Sequence, residues 1–233
     1  MRLHTPETTS SGTASVYGSM TVLRLVCVSL LSLGVLCGQP LDSMLVLETS
    51  PGTEHTTGLI HPRAFEGAGR AGVIGFQRTA RVLLPLTEDR DELADALQRA
   101  GVRVGVGMGG VQINSNLTVD LVAALKQACG EFGRDDSTER KRAVIVFFGS
   151  EDPNLSANLD TLKAALSGAD ARLYGIAVQR VAGRETPVDR WTRTYPFPAI
   201  TARLMSELAE ESGGKIFKST WDLRKILAAA RKP

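Results

Sequence analysis

From Ser43 onward, short apolar runs alternate with longer stretches in which apolar residues recur every three or four positions. The short runs are MLVLE, GVIGFQ, ARVLLPL, RAVIVFF, RLYGIAV and KIFKS, and four of them are continuously apolar. Unbroken apolar runs of this length are the pattern of strands covered by helices on both faces. The longer stretches predict amphipathic helices. In DRDELADALQRAG, Asp89 and Glu92 have capping-box spacing, Leu93, Ala96, Leu97 and Ala100 share a face, and Gly101 is placed to stop the helix. A second helix, starting near Thr118, carries Leu121, Leu125 and Cys129 and ends at glycine; a third carries Leu159, Leu162 and Leu166. A fourth offers Ile200, Leu204 and Leu208, and WDLRKILAAARK closes the chain with basic residues where the helix dipole favours them. Between GVIGFQ and ARVLLPL only a few polar residues intervene, too few for a crossover helix, so these two strands form a hairpin.

The predicted architecture is therefore α/β: a Rossmann-like, doubly wound, mostly parallel sheet with one antiparallel edge strand and helices on both faces. The first 38 residues are of another kind. Residues 1 to 19 are polar and Ser/Thr-rich without an apolar face, and the apolar run from Leu25 to Leu36, followed by small residues, fits the core of a secretory signal better than a membrane span. The expected division is a leader with signal over 1–38 and a domain over 39–233, exported to the periplasm, envelope or exterior. Cleavage near Gly38 removes Cys27 and Cys37, leaving Cys129 in a helical apolar stripe, where a small core hydrophobe is expected and no internal disulfide can form.

Charge narrows the function only slightly. A net charge of +2, with acidic and basic residues interleaved, gives no footprint for nucleic acid or an anionic membrane.

The residues themselves resemble a von Willebrand factor type A domain from Leu41 to Lys232. GVIGFQRTARVLLPLTEDRDELADAL is similar to the family's second strand, hairpin, third strand and following helix. GGVQINSNLTVDLVAALKQA is similar to its glycine-rich loop and third helix, and KRAVIVFFGSEDPN to its central strand. As an exported single domain with variant motifs, the chain looks like the type A-related group of acidobacteria. The resemblance implies a six-stranded sheet of order 3-2-1-4-5-6. Ligands of such sheets bind at the carboxyl ends of the strands.

In members that use a metal, an Asp-x-Ser-x-Ser turn, a loop Thr and a second Asp hold a cation. Carried onto this chain, the first Asp becomes Glu48, the first Ser is kept as Ser50, the second Ser becomes Gly52, the Thr becomes Val111, and the second Asp becomes Gly149. Magnesium demands near-octahedral oxygen at about 2.0–2.1 Å, so a carboxylate displaced by a methylene and the oxygen ligands lost at Gly52, Val111 and Gly149 argue for a degenerate site. Thr53, Glu151 and Asp152 are the neighbouring oxygens that a rebuilt cation site would use. The plainer reading has Ser50 and Thr53 capping a helix or satisfying turn amides, with Glu151 and Asp152 in a solvated loop before Pro153. No metal and no cofactor are expected.

Gly105, Gly107 and Gly110 have dinucleotide-site spacing, but no helix N-terminus follows at once and no acidic residue ends a second strand at the required distance. His55 and His61 lack both a nucleophile elbow and the spacing of a zinc helix. Asn116 and Asn154 head Asn-x-Ser/Thr triplets, a pattern frequent by chance. The segment Arg180 to Ala199 combines Arg184, Arg190 and Arg193 with Trp191, Tyr195 and Phe197, as an interface does or as a loop pinned to the sheet does. The expectation is an exported, non-enzymatic protein-binding module. Its contacts would come from top-face loops at Glu48, Ser50, Thr53, Gly110, Val111, Gly149, Glu151 and Asp152, with no nucleic-acid partner and a membrane only through an uncleaved signal. A divalent-dependent adhesion module and a nucleotide-binding enzyme are the competing readings.

Overall fold

The computed structural model describes residues 39–50, 53, 60–66, 69–102, 119–134, 140–178, 197–218 and 223–232. The leader over 1–38, Gly52, His55, the glycine-rich loop with Gly105, Gly107, Gly110 and Val111, Asn116, and residues 180–195 lie outside the described residues.

Six strands form one sheet in the order β3-β2-β1-β4-β5-β6. They are β1 (Leu41–Glu48), β2 (Ala71–Phe76), β3 (Ala80–Thr87), β4 (Lys141–Phe148), β5 (Ala171–Ala177) and β6 (Lys215–Lys218). β1 runs parallel to β2 and β4, β4 to β5, and β5 to β6, while β2 and β3 make the antiparallel hairpin. This is the expected 3-2-1-4-5-6 order with one antiparallel edge.

Alternation of side chains along each strand divides the core. Met44, Val46, Val144, Val146 and Phe148 face a layer made of α2 (Leu121–Phe132), α3 (Leu159–Gly168) and α4 (Ala199–Glu211). Leu45, Leu47, Ile145 and Phe147 face α1 (Arg90–Val102), α5 (Leu223–Arg231) and the short 3-10 helix Pro62–Phe65. Burial on both faces is why these strands read as unbroken apolar runs.

At the amino end of β1, Asp42 is 1% exposed. Its carboxylate accepts from the Arg70 backbone N–H and Nε, both at 3.2 Å, and pairs with the Arg70 and Arg140 guanidinium groups. A buried carboxylate without such partners would be strongly destabilising, so this clasp fixes the entry to β1.

Several helix ends differ from their sequence signals. The Asp89 carboxylate accepts from the Asp91 and Glu92 N–H groups, but the Asp89 N–H goes to Thr87 Oγ1, so the capping box is one-sided. α1 continues through Gly101 to Val102, and α2 starts at Leu121 behind an Asp120 cap rather than near Thr118. Ile200 is 61% exposed and does not belong to the buried stripe of α4. That stripe is Thr201, Ala202, Leu204, Met205, Leu208 and Ala209, because Thr201 takes the inward position of the first turn. Cys129 is buried and free, and burial pushes its thiol up to about 11, as suits a small core side chain.

Candidate functional site

The carboxyl ends of β1 and β4 lie side by side, with Leu47 opposite Phe147. Glu48 and Gly149 follow that pair. Glu48 is 3% exposed. Its Oε2 accepts from the backbone N–H of Gly149 at 2.6 Å and of Ser150 at 3.0 Å, and its Oε1 accepts from the Ser150 hydroxyl. Three donors on one carboxylate compensate much of the cost of burying its charge. A side chain at position 149 is not needed for this clasp; the backbone supplies the contact.

Around this clasp the chain turns tightly. The Thr53 N–H donates to the Ser50 carbonyl at 3.1 Å. The Thr53 hydroxyl shares its proton between the carbonyls of Glu48 at 2.8 Å and Ser50 at 2.7 Å. Thr53 thus closes the turn after β1. The Ser50 hydroxyl is buried and has no hydrogen-bond partner among the described residues.

The next two residues bind two different helices. Asp152 Oδ2 accepts from the N–H groups of Leu121 at 2.9 Å and Val122 at 3.2 Å, the first turn of α2. Glu151 accepts from Ile200 at 3.0 Å and Thr201 at 2.7 Å, the first turn of α4. The Asp152 N–H in turn donates to Thr201 Oγ1 at 2.9 Å, and Asp152 Oδ1 accepts from Asn154 N–H at 2.8 Å. Consecutive carboxylates therefore satisfy the orphan amides at two helix starts, where the helix dipole also favours negative charge.

Asp152 is 4% exposed, which corrects the expectation of a solvated loop; of the pair only Glu151 reaches solvent. Desolvation raises the Asp152 pKa above the ordinary aspartate value and the nearby Asp120 adds to it, while the bonds from Asn154, Val122 and Leu121 act the other way.

The structure brings Glu48, Ser50, Thr53, Gly149, Glu151 and Asp152 together at the carboxyl end of the sheet, whereas Gly110 and Val111 lie outside the described residues. Glu48, Ser50, Thr53, Gly149 and Asp152 are buried, and Glu151 is the exposed member. Sequence reasoning missed Ser150 and Thr201. Ser150 had a usable signal, a hydroxyl two residues past a buried strand; Thr201 looked like any helical residue.

The described residues do not by themselves form a divalent-cation site. Both Glu48 oxygens already accept from N–H and O–H donors, the Asp152 and Glu151 carboxylates are turned onto helix amides, and Gly149 brings no oxygen side chain. Among the described residues gathered here, the Ser50 hydroxyl is the uncommitted oxygen, against the near-octahedral oxygen shell that magnesium requires. Among the described residues no group of three His, Cys, Asp or Glu side chains is placed to hold a metal ion.

Comparison with solved structures identifies the class of fold: the chain has a von Willebrand factor type A-like fold. It is similar to an aerotolerance-related membrane protein from Bacteroides fragilis, at 16% identity and a TM-score of 0.59, covering 82% of this chain and 98% of that one. BatB from Bacteroides thetaiotaomicron gives 16% identity and a TM-score of 0.59 over 82% of this chain and 96% of its own. The SpRpn10 VWA domain gives 12% identity and a TM-score of 0.51 over 80% and 93%. No protein-family model and no curated protein matches the sequence.

Proposed function

We propose that the protein is an exported, non-enzymatic protein-binding module of type A-like fold that recognises its partner without a divalent cation. The observation that carries this reading is the Glu48 clasp: the carboxylate that a cation would need is bound by Gly149 and Ser150. The amides and hydroxyl take the cation's place in joining the ends of β1 and β4. Among the described residues, protein hydrogen bonds then set the top face. Contact falls to exposed groups around that clasp, among them Glu151, Phe197 at 41% exposure and Ile200.

Support for a binding role is architectural: the assembled loops crown the carboxyl ends of the strands, where such sheets hold their ligands. The neighbours named above include a membrane protein, which is consistent with an envelope setting for this one. Export rests on the apolar run Leu25 to Leu36 and on the small residues after it. Among the described residues no helix is long and apolar enough to cross a membrane.

A thermal-unfolding titration of the full chain with magnesium, manganese and EDTA tests the cation-free reading. Equal melting temperatures are expected, because a cation that does not bind the native state cannot stabilise it. A saturable rise with either ion would favour the adhesion-type alternative instead.

A further inference from the structure

The β2–β3 hairpin borders a small recess of about 290 Å3, lined by Thr49, Gly75, Gln77, Arg78, Thr79, Arg81 and Leu83. It lies on the α1 side of the sheet, because Thr49 follows Glu48 and successive residues point to opposite faces. Gly75 forms its floor. Gly75 and Arg81 are cross-strand partners, and a Cβ at 75 would meet Leu83 Cδ1 at 3.0 Å and Thr49 Cγ2 at 3.3 Å. The missing side chain leaves room between an apolar wall and two guanidinium groups. The hairpin is held firmly: its Gln77 carbonyl accepts from Asp120 N–H at 2.7 Å, and Asp120 turns its carboxylate onto Ala123 N–H at 2.9 Å.

Arg78 and Arg81 differ from the cations of the larger cleft. A larger cleft of about 630 Å3 is lined by Lys141, Arg142, Lys163 and Arg172. There Lys141, Arg142 and Arg172 donate to the carbonyls of Arg231, Ala169 and Lys232, at or next to helix carboxyl ends, and Lys163 is paired with Glu207 and Glu211. Those charges are consumed by the fold. Arg78 and Arg81 are exposed, make no hydrogen bond or ion pair with the described residues, and share a recess that no acidic residue among the described residues lines.

We propose that this recess receives a carboxylate side chain from an acidic segment of a protein partner, clamped between Arg78 and Arg81. The assignment rests on the protein-binding reading above and specifies its partner chemistry. Guanidinium groups match the planar carboxylate with paired N–H donors. Leu83 and the Thr49 methyl offer an apolar wall for the methylene stem of such a side chain. Phosphate is the poorer match. Phosphate cradles are built from convergent backbone N–H groups, and the Gln77 N–H is committed to the Thr79 carbonyl at 3.3 Å. With no cation to take up a partner carboxylate, the positive charge beside the end of β1 comes from these two arginines.

The test is an NMR titration of the 15N-labelled full chain with an N-acetylated, C-amidated peptide of six glutamates, its six-glutamine counterpart, and inorganic phosphate at matched ionic strength. The glutamate peptide is expected to shift the Arg78 and Arg81 Nε–H signals and the Gly75 amide, and the glutamine peptide and phosphate to leave them in place. The double variant Arg78→Ala/Arg81→Glu should bind the glutamate peptide roughly tenfold to a hundredfold more weakly, the worth of a charged, hydrogen-bonded pair. Its melting temperature should be unchanged, since both side chains are exposed and unpaired. Lys225→Glu, an exposed charge reversal on α5, should bind as the unaltered protein does. A silent hairpin, an equal effect of phosphate, or equal weakening by Lys225→Glu overturns the assignment. Peptide shifts confined to Glu151, Asn154 and Ile200 would overturn it too, while leaving the protein-binding reading intact.

Discussion

Glu48 at the end of β1 and Ser150 after β4 are joined twice, by the Ser150 N–H at 3.0 Å from Oε2 and by its hydroxyl on Oε1. With the Gly149 N–H at 2.6 Å, the carboxylate has three donors in a buried site. Glu48→Ala leaves two buried amides and a hydroxyl without their acceptor. The expected loss is about 3 kcal/mol in the free energy of unfolding, read from urea denaturation. Ser150→Ala removes one donor only and should cost about 1–2 kcal/mol. Equal, negligible effects of the two would mean that the clasp contributes nothing.

Asp152 gives the pH dependence its sign. Its native pKa lies above the ordinary aspartate value of 3.8, chiefly through desolvation. Between the unfolded and native pKa values the native state therefore binds more protons than the unfolded one, and stability on this account falls as pH rises through that window. Comparing unfolding free energies of the protein and of Asp152→Asn from pH 3 upward should show the difference titrating in that direction. A carboxyl carbon resonance for Asp152 titrating below pH 3.8 would contradict it.

Thr201→Val keeps the shape of a buried side chain and removes the oxygen that accepts from the Asp152 N–H. About 1–2 kcal/mol of stability should be lost. Ile200→Ser, one residue away but exposed, should stay within about 0.5 kcal/mol of the unaltered protein. The contrast separates the structural role of the α4 start from its solvent face.

The central strands were legible because both faces of the sheet are covered there, so they carry the unbroken apolar runs that mark them; the strand order came from the family resemblance, not from the runs. The charged contacts were not legible. Asp42 meets Arg140, Glu48 meets Ser150 and Glu151 meets Thr201 across separations of 98, 102 and 50 residues. No local spacing encodes such pairs. The same limit explains why Glu151 and Asp152 looked like a polar loop: their partners are amides of helices that only folding brings near. Ile200 failed for a different reason, since a helical stripe fixes spacing but leaves the facing angle to the packing, and Thr201 holds the inward position. The Arg78 and Arg81 recess depends on the absence of a side chain at Gly75, which a sequence shows but does not interpret.

Gly214 sets the path from α4 into β6. A Cβ there would lie 1.9 Å from the Leu173 carbonyl oxygen, and Gly213 beside it has a φ of +75°. Gly214→Ala must push the backbone of β6 away from β5, at an expected cost of about 3 kcal/mol or more. Limited proteolysis should then cut near β6 first, and an unchanged cleavage pattern with unchanged stability would contradict this packing.

The central claim is that protein donors occupy the carboxylate on which a cation would depend. Anomalous diffraction from crystals grown in manganese tests it most directly. No manganese peak beside Glu48 is expected, with its carboxylate still bound by Gly149 and Ser150; an ion ligated by Glu48 and the Ser50 hydroxyl would contradict the account.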